Sequence, residues 1–281
     1  MIVTGKVNKF SFRFFQYLLL GIIFIIILVP IFWFVVTSFK TTADALGYTP
    51  SWIPKLFTVE NYYFVLFSSN ILRYLLNSFI VTGLTIIVTL VFASHMAYAV
   101  TRFEFRFKNV MLFIILMTGM IPGICIITSL YSISVGLKVH NTYSILIIVL
   151  SAAQFPAQVW LLKGFFSKIP IELEESAKLE GVSTLGIFYR IVVPLSAPGL
   201  AAGSVLIFVN TWNDWLISSA LTASEKMRLI NVGLFDNMRE NGVLWGRFTA
   251  YGLIAILPIL ALFFKVQRHF IQGLTAGATK G

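Results

Sequence analysis

Six long apolar stretches run through this chain of 281 residues and decide what it can fold into. A helix needs about 20 consecutive, mostly apolar residues to cross a bilayer. The stretches near this length lie at residues 16–38, 75–100, 109–131, 143–165, 197–221 and 248–264. Only 11% of the residues are charged, whereas a soluble domain carries about a quarter. We therefore predict an all-α polytopic membrane protein with six transmembrane helices.

The first stretch follows a basic segment, which is also how a secretory signal peptide begins. Its apolar run from Tyr17 to Phe39 is longer than the roughly 7–15 apolar residues of a signal peptide, and no small-residue cleavage site follows it. We therefore expect the first helix to be retained. The last stretch, at residues 248–264, is the shortest and lies near the lower limit for a span.

Basic residues predict the orientation of the spans, because the cytoplasmic loops of membrane proteins are enriched in Lys and Arg. With the N-terminus in the cytoplasm, the cytoplasmic segments hold 13 of the 21 basic residues. These are Lys6, Lys9, Arg13, Arg102, Arg106, Lys108, Lys163, Lys168, Lys178, Arg190, Lys265, Arg268 and Lys280. We therefore expect both termini to be cytoplasmic, and we attribute the net charge of +10 to topology rather than to a nucleic-acid partner.

Two long outer loops follow from this topology. The first, at residues 39–74, contains Trp52 and the aromatic run Tyr62-Tyr63-Phe64. Aromatic residues of this kind form belts at the membrane–water interface, and a docking surface for an external partner is the alternative. The second, at residues 222–247, carries mixed charge, which suits either surface.

Ionisable side chains are scarce inside the six stretches, which argues against an ion-coupled carrier. Those present are His95, Asp214 and, at a boundary, Lys163, whereas proton relays use paired or chained ionisable groups. The chain also lacks the phosphate loop of ATPases, the H-E-x-x-H metal motif and the G-x-S-x-G nucleophile elbow. A polytopic protein without its own motor is a subunit driven by another protein, a passive channel or a scaffold.

The predicted cytoplasmic loop at residues 166–196 carries clear helix signals. Pro170 fits a first helical turn, and the glutamates that follow it lie near the positive end of the helix dipole. Gly181 suits the left-handed residue that ends a helix. We therefore predict a short helix at residues 170–180 and a second one that begins near the N-capping candidates Ser183 and Thr184.

Two interpretations of this first helix remain open from its residues alone. Its charge is typical of a helix that simply faces water. Against that, Leu173 and Ala177 lie four residues apart on one stripe of the helix. An acidic and partly apolar helix that is sharply capped suits a groove on a partner protein.

The same loop carries the residues of a known signature. Glu175-Ser176-Ala177, then Gly181, then Ile191-Val192-Val193-Pro194 resembles the E-A-A–G–I-x-L-P signature of the permeases of ATP-binding-cassette (ABC) importers. Ser176 and Val193 replace the usual Ala and Leu. The spacing of the signature is maintained over twenty residues.

Three further segments resemble the carbohydrate-uptake branch of that family, in the subunit type similar to maltose permease G. They are Thr37-Ser38-Phe39-Lys40, Trp212-Asn213-Asp214 and the segment at residues 270–277. The resemblance implies the type I ABC importer permease fold in a bacterial cytoplasmic (inner) membrane. Besides the lipid bilayer, it implies three kinds of partner: a second permease subunit in a heterodimer, an ATPase dimer on the cytoplasmic side and an extracytoplasmic sugar-binding protein. ATP and Mg would bind to the ATPase, so this chain would be no enzyme and would hold no cofactor.

The resemblance also implies two sets of contact residues with the ATPase. The set in the cytoplasmic loop is Glu174, Glu175, Ser176, Ala177, Gly181 and Pro194. The set near the C-terminus is Gln272, Gly273 and Leu274. Glu175 would pair with a basic residue of the ATPase, and Gly181 would let the chain reverse so that the short helix lies across the membrane plane.

Candidates for the solute pathway come from the chemistry of sugar recognition, which uses aromatic faces with amide or carboxylate groups. The outer end of the fifth stretch offers Asn210, Trp212, Asn213 and Asp214. As alternatives, Trp212 belongs to an interfacial belt, and Asp214 caps a helix or pairs with an arginine.

The chain is expected to divide into residues 1–74, with the N-terminal tail, the first helix and the outer loop, and residues 75–281, the permease core with the coupling loop. The predicted function is that of a sugar or oligosaccharide permease subunit. A permease for a polyol or a glycerophosphodiester is the alternative within the family, and a self-contained ion-coupled transporter is the alternative outside it. No catalytic constellation supports a membrane enzyme.

Overall fold

A computed structural model describes residues 9–47, 49–240 and 243–275, and these residues contain helices but no β-strand. In chain order the α-helices are α1 (Lys9–Ser38), α2 (Thr42–Ala45), α3 (Glu60–Tyr63), α4 (Ile71–Arg102), α5 (Lys108–Met120), α6 (Gly123–Gly136), α7 (Tyr143–Phe166), α8 (Ile171–Leu179), α9 (Thr184–Ile187), α10 (Val193–Leu195), α11 (Ala197–Trp212), α12 (Leu216–Leu221), α13 (Ile230–Glu240) and α14 (Trp245–Thr275). The predicted all-α class is therefore confirmed.

Among the described residues, four single helices are long and apolar enough to cross a membrane, and they confirm four of the six predicted stretches. Two bent helix pairs raise the number of candidate spans to six if each pair is one span. The four single helices comprise the segment Arg13–Ser38 of α1, the whole of α4 and α7, and the segment Trp245–Lys265 of α14. The last of these is longer than its predicted counterpart, because α14 begins before residue 248 and continues to Thr275. The shortest predicted stretch thus belongs to one of the longest helices.

The third predicted stretch, at residues 109–131, is not one straight helix. It is divided into α5 and α6, which meet at an angle of 94°. The break lies at Ile121 and Pro122, whose ψ angles of 120° and 129° are extended. Proline disfavours helical geometry in the residue before it and has no N–H to donate, so the helix ends there and a new one starts.

The fifth predicted stretch, at residues 197–221, is also divided. Its first part, α11, follows the helical segment Thr184–Leu195 after a bend of 76° and ends at Trp212. Its second part, α12, begins at Leu216, where the Asp214 carboxylate accepts hydrogen bonds from the backbone N–H of Ser218 (2.8 Å) and from its hydroxyl (2.7 Å). The predicted stretch is therefore not one uninterrupted helix, because the Asp214 carboxylate starts a separate helix inside it. The segment Thr184–Leu195 and α11 together are still long and apolar enough to form one bent span.

The chain forms two compact units, which do not follow the expected boundary after residue 74. The first unit comprises residues 1–69 and 237–254, and the second comprises residues 70–236 and 255–281. The first unit thus joins the N-terminal part of the chain to a segment distant in sequence. The second unit contains α4 to α12 in full.

In the first unit, the motif Thr37-Ser38-Phe39-Lys40 anchors the loop that follows α1. The Lys40 side chain is buried, and its ammonium donates to the Ser51 carbonyl (2.6 Å) and lies 4.1 Å from the centroid of the Trp33 ring. The Asn61 amide donates to the carbonyls of Ser38 (2.9 Å) and Lys40 (2.8 Å). The aromatic-rich loop is therefore held by buried polar contacts to the end of α1.

In the second unit, α4 packs along α7, and α11 packs against both. Small residues allow this close approach. A Cβ at Gly199 of α11 would lie 2.5 Å from the ring of Phe165 on α7, so only glycine fits there. Small residues at such crossings are typical of helix packing in membranes.

We expect Lys40→Met to loosen residues 49–57. The substitution removes a charge-assisted hydrogen bond and a cation–π contact, together worth about 2 kcal/mol. Amide hydrogen exchange in lipid nanodiscs should be faster across this segment. The exposed Lys55 of the same loop provides the control, and Lys55→Met should leave exchange unchanged. Equal exchange in the two variants would contradict an anchoring role for Lys40.

Candidate functional site

The loop between α7 and α11 folds as two short helical arms around a glycine. The first arm is α8, and after it Gly181 has a φ of +81°, the left-handed region that glycine adopts without strain. The N–H of Val182 donates to the Ala177 carbonyl (3.0 Å) and that of Gly181 to the Lys178 carbonyl (3.0 Å), which closes the helix end. The predicted helix and its glycine stop are confirmed, with bounds of Ile171–Leu179 rather than 170–180.

The second arm begins at the predicted N-cap. The Ser183 hydroxyl accepts a hydrogen bond from the N–H of Gly186 (3.2 Å), and α9 starts at the next residue, Thr184. The arm continues through a π-helical turn at Phe188–Val192 into α10 (Val193–Leu195), where the signature residue Pro194 is exposed. The arm therefore forms a nearly continuous helical path from Gly181 to the start of α11.

The inner face of α8 contains a buried ion pair. One carboxylate oxygen of Glu174 (Oε1) accepts from Nε of Arg102 at 2.6 Å, and the other (Oε2) accepts from the Tyr98 hydroxyl at 2.8 Å. Glu174 is only 2% exposed and Arg102 only 11%. We call Tyr98, Arg102 and Glu174 the Arg102 clamp. Glu174 was predicted to contact an ATPase, but in this chain it faces inward and is satisfied by the end of α4.

Arg102 also binds the chain on either side of the α7–α8 turn. Its Nη2 donates to the carbonyls of Phe166 (3.2 Å) and Ile169 (2.8 Å). Phe166 is the last residue of α7, and its carbonyl also accepts a hydrogen bond from the Ile169 N–H (3.1 Å). One guanidinium thus joins the end of α4, the end of α7 and the first turn of α8.

Aromatic packing continues the inner face beyond the clamp. The Phe188 ring is buried, with its centroid 5.1 Å from that of Tyr98 and 4.7 Å from that of His95. Ala177 and Ile187 are buried in the same cluster. Sequence reasoning missed Tyr98 and Arg102 as site residues, and the arginine at the end of the second span was its only signal.

The outer face of the loop is acidic and apolar at once. Glu172, Glu175 and Glu180 are exposed, as are Leu179, at 91%, and Leu185, at 63%. Ser176 is exposed as well. Of the two apolar residues noted on this helix, Leu173 is 46% exposed and Ala177 is buried, and Glu174 occupies the other inward position. The outer face of the loop therefore combines exposed carboxylates with exposed leucines.

The four pathway candidates lie in different environments. Trp212 is 2% exposed, stacks on Phe208 and donates its ring N–H to the Ala255 carbonyl (3.1 Å). It is therefore a packing residue, and its burial removes its ring from the surface that a solute could reach. Asp214 acts as the helix cap described above.

The two asparagines among these candidates are exposed. The Asn213 amide donates to the Val209 carbonyl one turn back on α11 (2.9 Å). The Asn210 amide donates to Gln154 Oε1 of α7 (3.1 Å). Asn210 and Gln154 thus place two amide groups side by side on the surface of the second unit.

A cavity of about 810 Å³ lies beside α4, α5 and α7, but it is a poor sugar site. Its lining includes Phe92, Met96 and Phe155, with His95 among the few polar members. Sugar binding needs several convergent hydrogen-bonding groups. Among the described residues there is also no group of three or more His, Cys, Asp or Glu side chains that could hold a metal ion.

The predicted C-terminal contact residues are in the last turns of α14. Gln272, Gly273 and Leu274 belong to this helix, which the structure describes as far as Thr275. Their side chains and the rest of the tail are outside the described residues. Their contact with an ATPase stays a prediction.

Comparison with known proteins places this geometry in one family. Residues 89–275 match the family described as "Binding-protein-dependent transport system inner membrane component". The galactooligosaccharides transport system permease protein GanQ of Bacillus subtilis is 30% identical over 285 residues, which cover 100% of both chains. The trehalose/maltose transport system permease protein MalG of Thermococcus litoralis is 32% identical over 260 residues, covering 92% of this chain and 93% of MalG.

The fold also matches a solved structure. A chain of a bacterial ABC transporter involved in the import of the acidic polysaccharide alginate superposes with a TM-score of 0.82. The match covers 96% of this chain and 100% of the other, at 20% sequence identity. At this identity the likeness establishes the fold alone.

We expect Asp214→Ala to lower the melting temperature, because it removes the cap of α12 at a cost of about 1 kcal/mol. Differential scanning fluorimetry of the purified protein in detergent measures the change. Asn210→Ala is the matched control, because this exposed residue caps no helix end and its loss should leave the melting temperature unchanged. Equal melting temperatures for the two variants would contradict the capping role.

Proposed function

This chain belongs to the family of binding-protein-dependent transport system inner membrane components, the permease subunits of ABC importers, and from that premise we propose that its solute is a sugar or an oligosaccharide. The printed substrates of its relatives support this class, since GanQ is named for galactooligosaccharides and MalG for trehalose and maltose. These names do not favour a polyol or a glycerophosphodiester. Membership of the family likewise does not favour a self-contained ion-coupled transporter.

We propose that the loop between α7 and α11 docks on an ATPase through the outer face of α8. The observation that carries this proposal is the contrast between the two faces of one short helix. The inner face is fixed by the buried Glu174, whereas the outer face presents Glu175 beside the 91%-exposed Leu179. An exposed leucine next to a carboxylate suits a partner groove that has a basic residue at its rim.

The backbone conformation, size and exposure of the other signature residues also support this docking. Gly181 reverses the chain between α8 and the second arm. Ala177 is small enough to lie buried against the base of the loop, while Ser176 adds no bulk to the exposed side. Pro194 is an exposed residue of α10, the short helix that leads into α11.

This docking fixes the proposed orientation and partners. The loop lies on the cytoplasmic side, so both termini are cytoplasmic. A second, dissimilar permease subunit completes the pathway, two ATPase subunits bind ATP and Mg, and an extracytoplasmic sugar-binding protein delivers the solute. The family description supports the last of these, because it names transport that depends on a binding protein. This chain itself would carry out no hydrolysis.

The proposed mechanism follows from these positions. ATP binding closes the two ATPase subunits, and α8 moves with the groove that holds it. The motion passes to the spans, which change from an inward-facing to an outward-facing arrangement. For the solute itself, the amides of the exposed Asn210 and the half-buried Gln154 offer hydrogen bonds of the kind that sugars accept and donate.

We expect Glu175→Gln to lower solute uptake about tenfold or more while ATP hydrolysis continues, because loss of one partner of an interfacial charge pair costs several kcal/mol. The measurement is solute uptake and ATP hydrolysis by the full transporter reconstituted in liposomes. Assembly, checked by co-purification with the ATPase, should persist.

Glu104→Gln provides the control, because Glu104 is an exposed carboxylate (89%) whose ion pair with Lys108 is local to the α4–α5 connection. It should leave uptake unchanged. Normal uptake by the Glu175 variant would remove the docking role from this residue. Absence of any ATPase from the purified wild-type complex would overturn the proposed function itself.

A further inference from the structure

We propose that Arg102 is a positioning residue that makes the end of α4, the end of α7 and α8 move as one body during transport. This inference rests on the proposed docking of α8 on an ATPase. It assigns a role to three side chains, Tyr98, Arg102 and Glu174, of which only Glu174 was among the ATPase contact residues expected from the sequence. Its basis is the Arg102 clamp, where those three helices meet at a single guanidinium.

The geometry of the clamp uses the planar shape of arginine. Nε of Arg102 reaches Glu174 at 2.6 Å while Nη2 reaches the carbonyls of Phe166 (3.2 Å) and Ile169 (2.8 Å). Glu174 lies on α8, Phe166 ends α7, and Ile169 lies in the turn between them. A guanidinium presents several donors in one rigid plane, so it can hold all three acceptors at once, whereas a lysine ammonium cannot do so in the same geometry.

Burial makes this connection stiff. Glu174 is 2% exposed, Arg102 is 11% exposed, and the second carboxylate oxygen of Glu174 is occupied by the Tyr98 hydroxyl. Removing one partner of such a buried pair leaves an uncompensated charge, which is strongly unfavourable. Sliding of α8 against the end of α4 would therefore have to break several short polar contacts at the same time.

An exposed pair in the same region shows the contrast. Lys108 and Glu104 also approach to 2.6 Å, but they lie four residues apart, and Glu104 is 89% exposed. Exposed pairs of this kind add little to stability, since water and salt screen them. The Arg102–Glu174 pair instead joins residues that are 72 positions apart in sequence.

The adjacent glutamates Glu174 and Glu175 of α8 thus have different roles. Glu175 faces outward, where the proposed partner applies force, and Glu174 faces inward, where the clamp receives it. From the clamp the force reaches α4 and α7, the long helices that pack along each other in the second unit. Without the clamp, α8 could tilt about the α7–α8 turn without moving α4 and α7.

A purely structural role for Arg102 predicts a different outcome from a positioning role. A structural role means that variants lose folded or assembled protein, and that uptake and ATP hydrolysis fall together. A positioning role means that the assembled transporter hydrolyses ATP but moves less solute with each cycle. The ratio of solute transported to ATP hydrolysed separates the two.

The test measures this ratio for Glu174→Gln and Arg102→Lys in the full transporter, reconstituted in liposomes with its ATPase, its second permease and its binding protein. We expect normal co-purification of the subunits and a ratio about tenfold lower, because each variant leaves the buried site without its matched partner. Arg102→Lys keeps the charge, so recovery of the full ratio in this variant would overturn the role of the guanidinium fork. Lys108→Met is the matched control and should leave the ratio unchanged.

A milder variant keeps the test decisive if Glu174→Gln or Arg102→Lys fails to assemble. Tyr98→Phe removes one hydroxyl from the clamp and leaves the ion pair in place. We expect it to assemble and to lower the ratio by about two- to fivefold, the effect of one hydrogen bond. An unchanged ratio in assembled Tyr98→Phe or Glu174→Gln, with a wild-type transporter that works, would overturn the clamp alone. A wild-type chain that transports without any ATPase would instead overturn the proposed function.

Discussion

The fold of this chain depends on one requirement: every backbone N–H and C=O group that is removed from water must find a hydrogen-bond partner. In a bilayer a lipid-exposed segment must form these bonds within itself, and a helix does so. The four long apolar helices follow this rule directly. Two of the interruptions obey it as well, because a residue at the break ends or starts a helix with its own chemistry. Pro122 ends a helix by lacking an N–H, and Asp214 starts one by accepting N–H bonds.

The same requirement explains why α8 is held so firmly. α8 has nine residues, of which only Glu174 and Ala177 are buried, and it follows the carbonyls of Phe166 and Ile169 closely in the chain. Arg102 supplies donors to those carbonyls and a counter-charge to Glu174. A single side chain therefore satisfies the end of one helix and fixes the start of the next. The opposite face of α8, with Glu175 and Leu179, remains exposed.

The first unit uses comparable chemistry for another purpose. Lys40 is buried, with its charge placed between a carbonyl and the face of Trp33, and Asn61 satisfies two further carbonyls at the end of α1. The motif at residues 37–40 thus orders the loop that follows α1. That loop had two interpretations in sequence terms, a belt at the interface or a docking surface, and its buried contacts are compatible with either.

Sequence alone determined the helical class, four of the spans, and the arms of the loop with their stop at Gly181 and their cap at Ser183. These features depend on residues close to one another in the chain, such as an apolar run, a capping hydroxyl or a glycine at positive φ. The signature residues at 175–194 likewise indicated the family by their identity and spacing. Sequence could not reveal that Glu174 faces Arg102 or that Trp212 is buried. Each of these depends on which helix faces meet, and only the tertiary packing decides that, because it brings together groups far apart in the chain.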